Sequence, residues 1–475
     1  MSLLPTRPYP LATLCLIAGA CAGPSRTDPS SVVVPPPVRW GSASASGTVD
    51  PDWWHKLGSA ALTAAIRRAL VHNHDLQAAQ ARVAAAVRQA QVAGAARIPE
   101  FSLGGNAGRQ RSVFVGFPGG SGRRPLVNLY NSFGVNLNAA WEVDLWGRLR
   151  AGRDAATAEA RATLHDLRAA RQSIAGQVAK AWFAAVEAGQ QVALARTTAA
   201  SYRASEAQVE DRFRRGVRPA LDLRLARSRR MAAQARELGF AEQLQRAVRQ
   251  LELLTGTYPA GRTELPEQLP VPTAPIPAGL PAELVRRRPD VRAAEERLVA
   301  AGFRVDEAQA ALYPRLDLSG RTGTTSDDIK DLLDLDFLIW NAAANLVGPI
   351  LDGGRRRNAA ELAAARENEA IAAFAQRSLH AYTEVESLLA ARGFLTGRLE
   401  RLTAAEGESR RASVLAEERY RSGLGDFIAV LEAQRGALEL SAQVLTARRL
   451  LLDLRVDLHL ALGGGFEHEG AKLSP

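Results

Sequence analysis

The sequence predicts a mainly helical protein with a small β part, built as two tandem repeats of a strand pair followed by a very long antiparallel helical hairpin. Three observations predict it. Residues 148–258 contain one proline, Pro219, and residues 350–474 contain none. Ahead of each of these tracts the spacing of apolar residues changes from the helical period to alternation. The same short words recur around these changes, in the same order, in both halves of the chain.

Both tracts are rich in Ala, Leu, Arg and Glu, which favour helix. Leu164, Leu167, Ile174, Val178 and Trp182 recur at helical spacing in the first. Tyr382, Val385, Leu389, Leu395, Leu399 and Leu402 do so in the second. Such stripes make a helix-on-helix seam. As one helix, residues 148–210 would be roughly 90 Å long at ~1.5 Å per residue, deeper than any compact domain. Each tract breaks once, near Gly216 and near Gly423, and then returns.

Composition narrows the function. The chain has 475 residues, enough for several ordinary domains. It is 47% hydrophobic, much of that alanine, which suits close helix packing better than a thick core. The net charge of +10 allows a nucleic-acid or anionic-lipid partner. The basic residues are interleaved with Glu, however, and neither end carries a Lys/Arg arm, so they read as a solvated helix surface with no nucleic-acid partner. Cys15 and Cys21 both lie in the N-terminal leader, which rules out a disulfide framework. The seven histidines show no metal-ligand spacing. No phosphate loop occurs, and Gly463-Gly464-Gly465 ends a helix instead of opening one. No carboxylate pair is marked for acid–base work. The sequence therefore predicts no enzyme, no metal and no cofactor.

In chain order, residues 1–20 read as a signal peptide, with Arg7, an apolar stretch over 11–20 and small residues at Ala18-Gly19-Ala20. Cys21 follows directly. This resembles the lipobox of bacterial lipoproteins, whose cysteine is acylated, although Ala18 stands where leucine is usual. An ordinary cleavage near Ala20 is the alternative. Ala22 resembles the outer-membrane class of lipoproteins. Residues 21–50, with Pro35-Pro36-Pro37, form a lipid-anchored linker. The first repeat spans 51–260. It opens with two helices between 52 and 96, which end before Pro99. A strand pair follows at about 100–144. Phe101, Leu103, Gly105 and Ala107 alternate with polar or small residues, and so do Phe133, Val135, Leu137, Ala139, Trp141 and Val143. A membrane barrel strand and a half-buried soluble hairpin both give this pattern. The Gly/Pro-rich loop over 117–122 separates the strands. An inter-repeat linker occupies 261–278. The second repeat spans 279–466, with strands at 316–321 and 338–347 joined through 324–336, and residues 467–475 form a tail.

The repeat is explicit. Asp75 matches Asp290, Pro99 matches Pro314 and Gly105 matches Gly320 at one constant offset. Gly147 matches Gly354 and Gly216 matches Gly423 at a second, shorter offset. The difference makes the first strand-hairpin tip about eight residues longer than the second, as insertions between repeats fall in loops.

Several words resemble a known family. Arg287-Arg288-Pro289-Asp290-Val291 with Ala294-Glu295 is similar to the most recurrent motif of bacterial outer-membrane efflux proteins. Trp141-Glu142-Val143-Asp144-Leu145-Trp146-Gly147-Arg148 and Pro349-Ile350-Leu351-Asp352-Gly353-Gly354-Arg355 resemble its two strand-to-helix words. Tyr420-Arg421-Ser422-Gly423, Leu431-Glu432-Ala433-Gln434-Arg435 and Ala461-Leu462-Gly463-Gly464-Gly465 resemble its second hairpin turn and final helix. Together they cover about 50–466. The resemblance is to the outer-membrane factors of tripartite efflux pumps, TolC-like and of the NodT/OprM-type lipoprotein branch.

That resemblance implies a homotrimer in which each chain gives four strands to a shared twelve-stranded transmembrane barrel and long helices to a periplasmic tunnel. It implies a passive exit duct that works with a periplasmic adaptor, also called a membrane fusion protein, and an inner-membrane efflux transporter. Asp222 and Glu432 would line the periplasmic aperture, with Arg218, Tyr420 and Arg421 beside them. Some members carry a latching arginine where this chain has Gly425, which leaves Arg218 or Arg421 to substitute. The turns at Gly216-Val217 and Gly423-Leu424 would meet the adaptor. Phe133, Val135, Leu137 and Ala139 would face outer-membrane lipid. The competing reading is a periplasmic coiled-coil adaptor or scaffold lipoprotein without a pore. Two tandem copies of strand pair plus hairpin separate the channel from the adaptor.

The leader yields one test. Mass spectrometry of the mature N-terminus is expected to find an acylated Cys21. An unmodified Cys21 or Ala22 at that terminus excludes the anchor.

Overall fold

The structure, a computed structural model, describes residues 40–41, 53–114, 126–271 and 287–464. The signal peptide, Cys21, most of the linker to 50, the loop at 117–122 and the tail from 467 lie outside the described residues. Eleven helices and strands follow one another: α1 (Ala60–His72), α2 (His74–Ala95), β1 (Glu100–Phe114), β2 (Leu126–Val143), α3 (Arg148–Arg214), α4 (Ala220–Leu254), α5 (Pro289–Ala310), β3 (Arg315–Ser326), β4 (Leu338–Val347), α6 (Arg355–Arg421) and α7 (Phe427–Ala461). The repeat is exact in length where it matters. α3 and α6 each have 67 residues, and α4 and α7 each have 35.

The chain divides into two compact units. The first holds Ala84–Arg161 and Glu295–Ala373, and so contains the sheet. The strand order is β1-β2-β3-β4, every neighbour antiparallel. Alternation places one row on one face: Phe101 and Leu103 of β1, then Phe133, Val135, Leu137 and Ala139 of β2, Leu318 of β3, and Leu338 and Leu346 of β4. Asn106, Asn136, Asn138, Arg321 and Asn341 lie on the other face. Leu137 is 44% exposed, whereas its neighbour Asn136 is 9% exposed and accepts from Asn138 Nδ2 at 2.8 Å. Asn136 is thus packed and hydrogen-bonded, whereas Asn106, Arg321 and Asn341 of the same row are exposed.

One strand expectation changes: β3 continues to Ser326, well past residue 321. The tip of the first hairpin, over 115–125, lies outside the described residues.

The strand-to-helix words are capping devices. Asp144 accepts from the backbone N–H of Leu149 at 3.0 Å and of Arg150 at 2.8 Å, which closes the start of α3. Arg148 grips Glu142 at 2.7–3.1 Å. Asp352 does the same for α6, accepting from Gly354 and Arg356 at 3.1 and 3.3 Å. Trp146 donates to the Pro314 carbonyl at 2.6 Å and stacks on Tyr313 at 4.9 Å.

The second unit holds Ala162–Ala294, the chain from Phe374 onward, and the described residues before Ala84. Its largest core sets Trp53, Leu57, Leu62 and Ile66 against Ile174, Val178, Trp182 and Phe183 of α3, Leu251 of α4, and Leu452 and Val456 of α7. A second cluster joins Val291 of α5 to Val385 and Leu389 of α6 and to Leu458 and Leu462 of α7. The family motif is structural here. Arg288 binds Asp290 through two bonds, Glu384 at 2.6 Å and the Ala461 carbonyl at 3.0 Å. Burial alone would raise Asp290, but its bonds with Arg288 outweigh that and hold it below the usual carboxylate range.

The first repeat solves the same problem with a neutral side chain. Asn73 occupies the position of Arg288 and donates to the carbonyl of Leu254, the counterpart of Ala461, at 3.0 Å. Its Oδ1 meanwhile caps α2 by accepting from Asp75 and Leu76. After each short helix stands a positive-φ glycine, Gly256 and Gly463. A Cβ on Gly256 would collide with the His72 carbonyl, and one on Gly463 with the backbone of Arg287.

A half-buried ion network crosses from α3 to α7. Glu187 accepts from Thr446 at 2.7 Å and from Arg449 at 2.6 Å; Arg449 also binds Asp453, and Lys180 pairs with Asp457. Burial pushes Asp453 up to about 6, against the pull of Arg449 and Lys180 and with the help of Asp457 and Glu187. The folded chain therefore holds this proton more tightly than the unfolded chain does. Its stabilising effect is complete below the unfolded value near 3.8 and is lost as pH rises through about 6. Asp453→Asn removes that loss. Thermal melts from pH 4 to 7 are expected to show wild type falling relative to Asp453→Asn by on the order of 2 kcal/mol. Parallel curves would contradict it.

Candidate functional site: the tips of the helical hairpins

Each hairpin turns on a glycine. Gly216 and Gly423 have φ of 74° and 82°, a conformation that side chains with a Cβ resist. The two turns are closed by the same pair of bonds. Gly216 and Val217 donate to Phe213 and Arg212, and Gly423 and Leu424 donate to Tyr420 and Arg419, all at 2.9–3.1 Å. Val217 and Leu424 occupy equivalent positions and are 66% and 74% exposed. Each turn thus presents one apolar side chain, with exposed Leu221 and Ile428 in the helical turn that follows.

The tips differ in what lies behind the turn. Tyr420, 3% exposed, sits where the first repeat has Phe213, which is exposed. Its ring meets Phe427 at 5.2 Å. The guanidinium carbons of Arg218 and Arg212 lie 4.5 and 5.1 Å from its centroid. Arg212 donates to the carbonyls of Tyr420 and Arg421 at 3.0 and 2.9 Å, so a cation caps the negative end of α6. Arg218 reaches the Gly425 carbonyl at 3.4 Å. Burial raises the Tyr420 hydroxyl although Arg218 and Arg212 oppose it. That hydroxyl has no hydrogen-bond partner among the described residues. Leu223, Ala226, Val430 and Leu431 complete the tip core.

The sequence-predicted residues divide. Arg218 and Tyr420 come together. Arg421 turns to its own helix and pairs with Glu417 at 2.5 Å. Asp222 is buried in the first turn of α4, on the Tyr420 side, where the helix N-terminus favours its charge. Glu432 is exposed and lies between Arg435 at 3.5 Å and Arg229 at 3.9 Å. Of the two acids expected at the aperture, Asp222 is thus packed into the tip, whereas Glu432 is solvated and paired. Sequence reasoning missed Arg212 and Phe427. Their only signal is position, one turn before Gly216 and at the first residue of α7.

Comparison with known proteins decides the family. The family described as outer membrane efflux protein matches residues 65–257 and 280–464. The chain belongs to the outer membrane efflux protein family. Each matched segment holds one repeat. The chain is 33% identical to the pyoverdine export outer membrane protein OpmQ of Pseudomonas putida, over 96% of this chain and 97% of that protein. It is 32% identical to the outer membrane protein OprJ of Pseudomonas aeruginosa, over 97% and 96%. Its fold matches the solved outer-membrane channel OprN with a TM-score of 0.81 and 27% identity, over 91% of this chain and 99% of that one. The protein is thus an outer-membrane efflux channel. Both tandem copies of strand pair and hairpin are present, which separates it from an adaptor. Among the described residues no helix is long and apolar enough to cross a membrane.

The tip chemistry predicts an asymmetry between two substitutions. Tyr420→Phe removes a buried hydroxyl that has no partner and is expected to change stability by less than about 1 kcal/mol. Tyr420→Ala leaves a cavity between two arginines and is expected to cost about 3–5 kcal/mol locally. Limited proteolysis at the two turns measures it; equal protection of both variants contradicts the packing role.

Proposed function

We propose that this outer-membrane efflux channel acts as a homotrimeric exit duct, receiving small molecules from an inner-membrane efflux transporter through a periplasmic adaptor. One observation carries the trimer. The sheet has four strands, and β1 and β4 each leave an edge unpaired within the chain. Hydrocarbon cannot satisfy an open edge, and single-chain barrels begin at about eight strands. Several copies sharing one barrel meet both conditions. The row Phe133, Val135, Leu137, Ala139 then faces lipid, and the asparagine row faces the interior.

The exposed Val217 and Leu424 fit apolar pockets on an adaptor, one for each hairpin tip. In the trimer three copies of Asp222 and Glu432 surround the periplasmic aperture, where a ring of acids favours cations. Arg212 and Arg218 hold the two tips of one chain together and resist opening. The acylated Cys21 supplies a membrane anchor in addition to the barrel.

Planar-bilayer recording tests this reading. Wild type is expected to form trimeric channels that prefer cations. Asp222→Asn with Glu432→Gln is expected to weaken that preference several-fold and to alter conductance while the trimer persists. If selectivity and conductance are unchanged in an intact trimer, the acids do not line the aperture. Absence of any conductance from an intact trimer removes the duct itself.

A further inference from the structure

Counted along β2 from Val143 to Phe133, the lipid-facing row covers about eleven residues, the length a tilted strand needs to cross the hydrocarbon. Trp141 lies near the strand-to-helix end of this row, close to where Trp146 stacks on Tyr313. Beyond the other end charge enters the same face on β1, before exposed Val113 and Val127 follow further out. The next outward position of β2 is Asn131, opposite Arg109 of β1, and the one after is Leu129, opposite Arg111. Both arginines share the face of Leu103 and Ala107. Both are exposed, and neither makes an ion pair or a side-chain hydrogen bond among the described residues.

An arginine on the lipid face is expensive at the bilayer centre and nearly free at its surface. Two of them in successive outward positions therefore mark the headgroup level. No acidic residue occurs between Phe101 and Trp141. The second hairpin is opposite in sign: its connection carries Asp327, Asp328, Asp331, Asp334 and Asp336 against Lys330. The first hairpin is thus net positive and the connection of the second net negative.

We propose that Arg109 and Arg111 bind the phosphate groups of the phosphorylated glycolipid that forms the outer leaflet. The inference rests on the lipid-facing reading of the Phe133–Ala139 row. Guanidinium and phosphate match in geometry and charge, since two parallel N–H groups meet two phosphate oxygens. The site holds a headgroup beside the first hairpin of each copy, while the aspartates of the second hairpin repel one.

The experiment uses the full-length protein purified in detergent, and native mass spectrometry counts retained glycolipid. The probes are deep-rough lipopolysaccharide and the same glycolipid after enzymatic dephosphorylation. Wild type is expected to retain the phosphorylated form. Arg109→Gln with Arg111→Gln is expected to retain on the order of tenfold less. Arg109→Lys with Arg111→Lys keeps the charge and is expected to recover most of the binding. The dephosphorylated glycolipid is expected to bind all three weakly and alike. Equal retention by wild type and the Gln variant overturns the proposal, and so does equal retention of the two glycolipids. If the Gln variant loses its trimer in glycolipid-free detergent, the arginines pair with aspartates of a second copy and the proposal fails. Leu137→Lys separates the underlying reading. If it inserts as well as wild type, the lipid-facing row itself is wrong.

Discussion

A bilayer interior gives no partner to a backbone N–H or carbonyl. That constraint governs the chain. Its sheet pairs every inner strand with good register, yet it ends in two open edges. One chain alone cannot meet the constraint with four strands. In the proposed assembly the constraint is met by several copies, each contributing one arc of barrel wall. The capping aspartates Asp144 and Asp352 close the chain's change from ladder bonding to helix bonding without an orphaned amide.

The repeat preserves geometry more strictly than chemistry. Helix lengths and positive-φ glycines coincide in the two halves. The bond that closes each short helix onto the start of its repeat is kept, but Asn73 makes it in one half and Arg288 in the other. Arg288 alone recruits Glu384 and Asp290. A charge buried to this degree is stable only when its partners are in place, so the second half uses three side chains where the first uses one.

The hairpin tips carry the same lesson further. Their turns are equivalent bond for bond, yet Phe213 is exposed while Tyr420 is buried between two arginines. Arg212 belongs to the first hairpin and caps the last carbonyls of the helix before the second turn. The two tips of one chain are thereby tied by bonds that neither repeat could make with itself. A twofold repeat thus becomes asymmetric at the hairpin tips.

The sequence by itself determined the helical hairpins, their glycine turns, the alternation of the strands and the repeat. All are local: a missing proline, a period of two or a glycine at a fixed offset acts within a few residues, whatever lies elsewhere. Cysteine usage likewise argued against a disulfide framework. The extent of β3 was not legible, because strand ends are set by the partner strand and not by the strand's own residues. Nor was the fate of the predicted site. Asp222 and Glu432 look alike in sequence, but one is packed into the tip and the other stands paired in solvent. Arg212 carries no local mark, since its bonds reach across more than two hundred residues to the carbonyls of Tyr420 and Arg421. Burial and partner choice are properties of the neighbours that folding brings, and only the tertiary structure supplies them.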